Sequence, residues 1–499
     1  MESLKRALVS PAAALIGWVA LALSIYPTLW GKDGSAIFKL DAWIYHHAVT
    51  QWHAGGSLYE WYANPAQQLW PFTYSPFAAW VFTPLTWWPD RATQVALVVA
   101  TPVCTAITAW AVLHALGAAR RVAWGAAPWL ALGAVLLLEP VPKTMEYGQI
   151  NAVLMMLVAL DLLVVPASSR LRGVLAGLAA AFKLTPAIAV LVFLARRDWR
   201  GAATMVGSAL GTTALCWLIS PRESAQFFFS AMWDSSRAGF TDYSGNQNLK
   251  GLVARWLPEQ LWDVVWGVLV VAAVAAAWLL LVRLNRLRPP ADARPTASSL
   301  ATVPSPTDAG ATPTTDNPSA AVGASNERPI RTPRAPGFPL PDGVIQVVQT
   351  SVAMVLGLLV SPISWSHHWV WCLPALMGLV AAGLAWATPS LLVAAATGAA
   401  VFGLAMQWWF PEQNHVEQGW PFWATVVGSS YTWWALATGV VLWRAAGALA
   451  RRRAHPAGVA GGPRTGSKVL RGGADETGGA GPDGEPAPAT PSDADGIRP

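Results

Sequence analysis

Charged residues are scarce in this chain of 499 residues: they make up 12% of it, whereas hydrophobic residues make up 54%. Soluble domains carry roughly a quarter charged residues, so the chain cannot cover its surface with groups that water solvates well. This scarcity excludes a soluble globular enzyme. The hydrophobic residues fall in blocks of about 18 to 25, the length of helix that crosses a bilayer. The sequence therefore predicts an all-α polytopic membrane protein and excludes a disordered chain.

Cysteines and the motifs of common cofactor sites are also scarce. Cys104, Cys216 and Cys372 lie far apart, which excludes a CxxC redox or zinc site. The motifs HExxH, GxSxG, Walker A and a GxGxxG after a strand are missing from the part expected to fold. The only DxD motif, Asp493 with Asp495, lies in the C-terminal tail. The sequence thus predicts no required cofactor and no metal ligands, while dependence of activity on a divalent metal is left open.

The net charge of +6 does not indicate a nucleic-acid partner, because Lys and Arg stand in short clusters between hydrophobic blocks. The positive-inside rule puts such clusters in the cytoplasm. It predicts about 12 membrane segments in the plasma (inner) membrane, with both termini cytoplasmic and a cavity facing outward. The N-terminus begins like a signal peptide, but no small-residue cleavage site ends its hydrophobic stretch, which favours a retained first span.

The membrane region is predicted in two parts, 1–283 and 343–448, with outer loops at 31–90 and 220–260 in the first part. Residues 284–342 and 449–499 are rich in small residues, proline and aspartate and have no hydrophobic periodicity. Such segments cannot bury enough apolar surface to fold. They are predicted to be a disordered cytoplasmic linker and a disordered cytoplasmic tail.

Residues 172–195 are hydrophobic but have basic flanks on both sides, and the stretch is interrupted from Lys183 to Pro186. A single helix would place the two basic flanks on opposite sides of the membrane. We therefore predict a hairpin of two short helices with Lys183 at its tip. An ionisable group at membrane depth is a functional candidate by default, and phosphate is the natural partner of a lysine there. The alternatives are snorkelling, or a buried pair with Asp161 or Glu146.

Asp41 follows the first span and lies among aromatic residues. A partly buried carboxylate can act as a general base toward a hydroxyl group, whereas the alternative is a helix N-cap. The neighbouring histidines, His46, His47 and His53, lack a carboxylate or cysteine at ligand spacing and are interpreted as interfacial residues rather than metal ligands.

Other polar and aromatic candidates are predicted on the same outer face. Tyrosine and tryptophan can form an interfacial belt or stack on sugar rings, and the amides and basic groups can bind a ligand or simply join helices and loops. The two adjacent histidines would point roughly 100° apart on an α-helix, so one of them is expected to face the cavity. The candidates for substrate or donor-phosphate binding are Tyr74, Gln149, Asn151, Lys183, Asn246, Gln247, Asn248, Lys250, His367 and His368.

A set of ordered segments resembles glycosyltransferase family 87, whose members are integral-membrane enzymes of the GT-C type that use polyprenyl-phosphate sugars. The segments are LDAWIYHHAV, GGSLY, FTYSPFAAWVFTPL, YGQINAVLMMLVALDLL, LAGLAAAFKLTPAIAVLVFLARRDWR, GNQNLKGL and LLVSPISWSHHWVW. The resemblance covers nearly all of the membrane region and is greatest to the α-1,2-mannosyltransferases that elongate phosphatidylinositol mannosides. The long linker departs from a compact family member.

The resemblance implies that Asp41 is the catalytic base and that Lys183 and His367 or His368 surround the donor phosphate. It also implies a polyprenyl-phosphate-mannose donor and a mannosylated glycolipid acceptor, such as a phosphatidylinositol mannoside or lipoglycan, both held in the lipid bilayer. An outward site would need a lipid-borne donor, because nucleotide sugars are cytoplasmic. Three alternatives remain: an arabinofuranosyltransferase with a polyprenyl-phosphate donor, a lipid or glycolipid transporter, and an assembly scaffold.

Overall fold

The chain is mostly helical in a computed structural model that describes residues 10–288 and 342–454. The α-helices before residue 289 are α1 Pro11–Leu23, α2 Tyr26–Leu29, α3 Leu40–His53, α4 Pro76–Phe82, α5 Asp90–Ala115, α6 Arg120–Leu137, α7 Pro140–Tyr147, α8 Asn151–Leu163, α9 Val174–Phe182, α10 Val190–Ala195, α11 Trp199–Ile219, α12 Pro221–Phe229, α13 Leu249–Trp256 and α14 Trp262–Asn285. The later ones are α15 Asp342–Val360, α16 Cys372–Ala385, α17 Pro389–Leu404, α18 Phe422–Gly428 and α19 Ser430–Ala454.

Short elements connect these helices. The 3₁₀ helices are Thr83–Trp87, Thr185–Ala189, Ala231–Trp233, Ser235–Ala238, Glu259–Leu261, Ser366–Trp371, Met406–Trp408 and Val416–Gly419. The strands β1 (Tyr62–Asn64) and β2 (Leu69–Pro71) form an antiparallel pair.

Within the two described ranges, eight helical segments are long and hydrophobic enough to cross a bilayer, and a bent pair raises the number to nine. The eight are Pro11–Leu29, Asp90–Ala115, Trp199–Ile219, Glu259–Asn285, Asp342–Val360, Ser366–Ala385, Pro389–Trp408 and Ser430–Arg453. In the bent pair, α6 and α7 meet at 81°, so the chain turns sharply between Leu137 and Pro140. The predicted multi-pass helical class is confirmed.

The number of segments differs from the prediction because three predicted segments are short helices. At a rise of 1.5 Å per residue, α8 is about 20 Å long and α9 about 14 Å, less than the hydrocarbon core of a bilayer. The final spanning helix begins at Ser430, after the separate short helix α18, which ends at Gly428. The break at Lys183 is the one predicted from the basic flanks, whereas hydrophobic composition gives no sign of the break between α18 and α19.

Side chains next to the helix ends explain where several helices begin. Ser10 precedes Pro11, and its Oγ accepts a hydrogen bond from the Ala13 amide at 3.1 Å. Asp198 accepts in the same way from the Gly201 amide at 2.9 Å and starts α11. Such caps satisfy amide groups that have no partner within the helix.

The ends of the predicted hairpin at residues 172–195 meet in the structure. Arg172 Nε lies 3.1 Å from the Asp198 carboxylate, while Lys183 interrupts the helical segment between them. The carboxylate of Asp161 accepts hydrogen bonds from the amides of Gly173 and Ala176 at 2.7 and 2.8 Å. Asp161 therefore caps the start of α9 and is not the partner of Lys183.

Several basic clusters gather at one end of the helical bundle. Asp342 joins two of them, because its oxygens lie 3.0 Å from Arg196 Nη2 and 2.7 Å from Arg288 Nε. The next residue, Gly343, packs directly on the backbone at Ala115, near the end of α5. Both α9 and α15 run away from this end, so Lys183 and the residues after Val360 lie farther along the bundle.

The predicted disordered linker and tail fall almost entirely outside the described residues. At their borders, α14 extends to Asn285, two residues beyond the predicted boundary at 283, and α19 extends to Ala454, into the segment that was predicted to be tail.

Close packing of α9 on α11 provides a test of the fold. A Cβ atom on Gly177 would collide with the carbonyl oxygen of Met205, whereas one on Gly207 would meet nothing within 4 Å. We expect Gly177→Ala to lower the free energy of unfolding by about 1 to 3 kcal/mol, as overpacking does, and to lower the midpoint of thermal unfolding in detergent. Gly207→Ala is the matched control, with unchanged or slightly higher stability because alanine favours helix. Equal stability of the two variants would contradict this packing.

Candidate active site

Asp41 lies in the first turn of α3 and is half-buried. Its side chain does not cap the helix, since Lys39 is the N-cap residue and makes no side-chain cap bond. Instead, Asp41 Oδ2 accepts a hydrogen bond from Gln149 Nε2 at 2.7 Å. The N-cap alternative for Asp41 is therefore not what the structure shows.

Two tyrosine hydroxyl groups determine how Gln149 is oriented. Tyr45 and Tyr74 donate to Gln149 Oε1 at 2.8 and 2.9 Å, and their hydroxyl oxygens lie 3.0 Å apart. With its amide oxygen occupied by these donors, Gln149 presents its NH₂ group to Asp41. The amide thus connects α3, the segment before α4 and the start of α8.

The protonation of Asp41 suits acid–base chemistry. Burial raises the pKa of the Asp41 carboxyl group to about 6, although the hydrogen bond from Gln149 and the charge of Lys183 act in the opposite direction. A carboxylate with this pKa is ionised at neutral pH and still basic enough to accept a proton. Its second oxygen makes no hydrogen bond to the described residues.

Lys183 lies at the break after α9, where the backbone becomes extended. Its Nζ atom donates to Asn151 Oδ1 at 3.2 Å and to His368 Nε2 at 3.3 Å, and it lies 5.1 Å from the centre of the Tyr74 ring. Ser75 Oγ donates to the carbonyl groups at the end of α9, those of Ala181 and Phe182, and so holds the break in place. In the described part of the chain, no carboxylate forms a salt bridge with Lys183.

The two histidines of the tandem pair lie in a 3₁₀ helix beside this site. Their ring centroids are 4.7 Å apart. His368 reaches Lys183, whereas His367 packs on Tyr147 with a ring distance of 4.9 Å. The His367 side chain is 6% exposed, and its Nε2 atom has no hydrogen-bond partner in the described chain. Of the two, only His368 lines the pocket around Lys183.

Lys183, Asn151 and His368 line one pocket together with hydrophobic side chains. The other lining residues are Leu154, Thr185, Pro186, Met354, Leu358, Val370 and Trp371. The pocket thus combines a cationic group with apolar walls.

The predicted amides at residues 246–248 are buried and hold loops together. Asn246 Oδ1 accepts from the Ser364 amide at 2.8 Å, Gln247 Nε2 donates to the Gly428 carbonyl group at 2.6 Å, and Asn248 Oδ1 caps α13. These bonds secure the segment that leads to the two histidines. None of them connects the amides to Asp41 or Lys183.

Lys250 is engaged elsewhere. Its Nζ atom lies 2.9 Å from Asp263 Oδ1 and 5.0 Å from the centre of the Trp266 ring. Among the predicted candidates, the structure thus brings together Asp41, Tyr74, Gln149, Asn151, Lys183, His367 and His368.

The three histidines of α3 do not share a site. His46 Nε2 lies 2.9 Å from the Trp88 carbonyl oxygen, and His53 Nε2 lies 2.9 Å from Thr83 Oγ1. Across residues 10–288 and 342–454, no three His, Cys, Asp or Glu side chains are grouped to hold a metal ion.

Tyr45 and Glu139 are not among the candidates predicted from the sequence. Tyr45 follows Asp41 by four residues on α3, a spacing that places both on one helix face, and this signal could have revealed it. The Glu139 carboxylate accepts hydrogen bonds from Ser366 Oγ, Trp408 Nε1 and Tyr431 OH at 2.8 to 2.9 Å. Nothing in the local sequence around Glu139 indicates these distant partners.

Comparison with known proteins shows which family this chain is similar to. The profile of glycosyltransferase family 87 matches residues 72–306. The polyprenol-phosphate-mannose-dependent alpha-(1-2)-phosphatidylinositol mannoside mannosyltransferase of Mycolicibacterium smegmatis is 33% identical over 437 residues, which cover 83% of this chain and 85% of the relative. The protein of the same description from Mycobacterium tuberculosis is 30% identical over 446 residues, 85% and 89% of the two chains.

A third relative is the polyprenol-phosphate-mannose-dependent alpha-(1-2)-phosphatidylinositol pentamannoside mannosyltransferase of Mycolicibacterium smegmatis, 30% identical over 349 residues, with 68% of this chain and 69% of the relative covered. No solved structure matches. The helical membrane fold and these matches define a membrane hexosyltransferase. The chain belongs to glycosyltransferase family 87, and the resemblance found in its sequence is confirmed.

The hydrogen bond from Gln149 to Asp41 leads to a prediction about pH. If Asp41 is the general base, it must be ionised to accept a proton, so kcat/KM for sugar transfer is expected to fall as the pH drops through about 6. Gln149→Leu removes a bond that lowers the Asp41 pKa. This acid limb should therefore move to higher pH in the variant, as measured by initial rates between pH 4.5 and 9.

The control for this prediction is Gln67→Leu, which replaces an exposed glutamine that bonds only to Asn64. Its acid limb should coincide with that of the wild type. An unchanged acid limb in Gln149→Leu would show that this bond does not set the protonation of Asp41.

Proposed function

We propose that this protein transfers a mannosyl residue from a polyprenyl-phosphate donor to a hydroxyl group of a mannosylated glycolipid, such as a phosphatidylinositol mannoside or lipoglycan. The reaction inverts the anomeric centre and forms an α-1,2 linkage on the outer face of the membrane. The names of the two relatives, which include the donor and the phosphatidylinositol mannoside acceptor, support this assignment.

The observation that carries the proposal is the placement of one oriented carboxylate beside a cationic pocket. Asp41 is held by Gln149 and has a pKa raised to about 6. Lys183 is close enough to influence that pKa, and its own polar contacts are an amide and an imidazole. A base and a cation in this arrangement match the two ends of a displacement at a sugar phosphate.

In the proposed mechanism, Asp41 accepts the proton of the acceptor hydroxyl group while the hydroxyl oxygen attacks the anomeric carbon of mannose. The bond between that carbon and the phosphate oxygen breaks, and its electron pair leaves with the polyprenyl phosphate. Lys183 and His368 stabilise the negative charge on the leaving group. A single displacement turns a β-linked donor into an α-linked product.

The pocket around Lys183 suits a lipid-linked donor rather than a free nucleotide sugar. Its hydrophobic side, which includes Leu154, Met354 and Leu358, can cover the first prenyl units. The polar side, formed by Asn151, Lys183 and His368, can hold the phosphate group.

The outer location is supported by the distribution of charge. The basic residues around Asp342 gather at one end of the bundle, and such clusters lie in the cytoplasm. The helices α9 and α15 lead from that end toward Lys183 and the histidines. We therefore place the site toward the outer leaflet, with the termini and the segment 284–342 on the cytoplasmic side.

Replacement of the base tests the mechanism directly. Asp41→Asn keeps the size of the side chain and can still accept a hydrogen bond from Gln149, but it cannot take up the proton. We expect kcat to fall about a thousandfold, measured with purified protein, polyprenyl-phosphate-mannose and a phosphatidylinositol mannoside.

Asp90→Asn is the matched control, because Asp90 is a half-exposed carboxylate near His47, and its activity should equal that of the wild type. Full transfer by Asp41→Asn would rule out the proposed base. If the wild type used polyprenyl-phosphate-arabinofuranose and not the mannose donor, the sugar assignment would be wrong.

Lys183 is expected to act on the donor alone. Lys183→Met keeps the length and most of the volume of the side chain but removes the charge. The kcat/KM for polyprenyl-phosphate-mannose should fall about a hundredfold, while the KM for the acceptor stays constant in initial-rate measurements. Lys32→Met, at an exposed lysine, serves as the control. A larger effect on the acceptor than on the donor would contradict the assignment.

A further inference from the structure

Four half-buried aromatic side chains form a surface next to the catalytic residues that the proposed mechanism leaves unused. We call it the aromatic wall, and it consists of Tyr147, Tyr243, Trp365 and Trp408. The ring of Tyr243 lies 5.6 Å from that of Trp365 and 6.0 Å from that of Trp408. Lys143 Nζ lies between two rings of the wall, 5.2 Å from the centre of the Trp408 ring and 5.4 Å from the centre of the Tyr147 ring.

A hydrogen bond to Trp408 and the close packing of Gly245 hold the wall in shape. Trp408 Nε1 donates to the half-buried Glu139 carboxylate at 2.8 Å. A Cβ atom on Gly245 would lie 2.8 Å from the Tyr243 ring and 3.0 Å from the Trp408 ring, so only glycine leaves both rings where they are. A wall fixed in this way loses little conformational entropy when a ligand binds.

The wall begins beside Asp41. Tyr147 and Gln149 flank Gly148, which packs so closely on Ala42 that a Cβ atom on it would lie 2.7 Å from the Ala42 side chain. Tyr147 is thus two residues from the glutamine that holds the catalytic carboxylate. Gly148, the next residue in the chain, lies against the first turn of α3.

The wall and the cationic pocket lie at opposite ends of one series of contacts. Lys183 contacts His368, the His368 ring packs on His367, and the His367 ring packs on Tyr147. The wall continues from Tyr147 through Lys143 to Trp408. A ligand on the wall would therefore approach Asp41 from the side away from the donor phosphate.

The chemistry of this surface fits a sugar ring. Aromatic faces with a few polar groups beside them are typical of small-molecule sites, and the apolar face of a pyranose can stack on such rings. Lys143, the exposed Glu146 and the exposed Glu412 supply a donor and acceptors for hydroxyl groups. His367 adds a buried Nε2 atom that has no partner in the described chain.

We propose that the aromatic wall is the subsite for the mannose ring of the acceptor glycolipid, which it presents with one hydroxyl group toward Asp41. This assignment rests on the proposed function, because it takes the donor phosphate to lie at Lys183. The ring on the wall is the acceptor mannose and not the donor mannose, since the wall is separated from Lys183 by both histidines.

The test compares two replacements of Tyr243. Tyr243→Leu removes the ring, whereas Tyr243→Phe keeps it and loses only the hydroxyl group. We expect the KM for the phosphatidylinositol mannoside acceptor to rise about tenfold in the Leu variant, a typical cost of one lost aromatic contact, with the donor KM unchanged. The Phe variant and the distant control Tyr26→Leu, at an exposed ring, should stay within about twofold of wild type. A constant acceptor KM, or an equal rise of the donor KM, would overturn the proposal.

A binding measurement separates the subsite from the proposed function. Saturation-transfer NMR with a mannose disaccharide and the protein in lipid nanodiscs, without donor, should give a signal for wild type and Tyr243→Phe and a much weaker one for Tyr243→Leu. Equal signals for all three proteins, or no signal for wild type, would overturn the subsite. Failure of wild type to use polyprenyl-phosphate-mannose would overturn the proposed function alone, and the NMR comparison would still decide on the wall.

Discussion

The hydrogen bond from Gln149 Nε2 to Asp41 Oδ2 is the interaction on which the site depends. Gln149 can orient its NH₂ group toward the carboxylate only because Tyr45 and Tyr74 occupy its amide oxygen. The Gln149 side chain thus links helix α3, which carries Asp41, to the aromatic segment before α4 and to the start of α8. In an apolar environment each polar group needs a partner, so these contacts favour a single arrangement of the three segments.

The same requirement explains the break at Lys183. A helix that ends inside the protein leaves carbonyl groups without partners, and Ser75 satisfies two of them. The lysine that follows has an amide and an imidazole as polar contacts but no carboxylate salt bridge in the described chain. Its charge is therefore not neutralised by a carboxylate partner in the described chain, which is why the proposed function assigns it an anionic ligand.

Residues of the site differ in how clearly the local sequence marks them. Asp41 and Lys183 stood out because ionisable groups are rare in such surroundings, and the structure brings them to one site. The amide side chains of Asn246, Gln247 and Asn248 are equally suited to binding a ligand and to joining loops. The structure shows Asn246 bonded to Ser364 in the loop before the histidines, and Gln247 to Gly428 at the end of α18. Asn248 caps the start of α13. Glu139 carried no local signal, since its partners are the distant Ser366, Trp408 and Tyr431.

The sequence by itself determined the membrane class, most of the long spans and the family, because hydrophobic run length, charge position and ordered motifs are properties of the chain read in order. It also indicated the hairpin, through basic residues on both flanks. Only the tertiary structure decided which polar groups meet. Asp41 and Gln149 are 108 residues apart, and Lys183 and His368 are 185 residues apart. Such contacts arise from the packing of helices against one another, and no local pattern of residues encodes their distances.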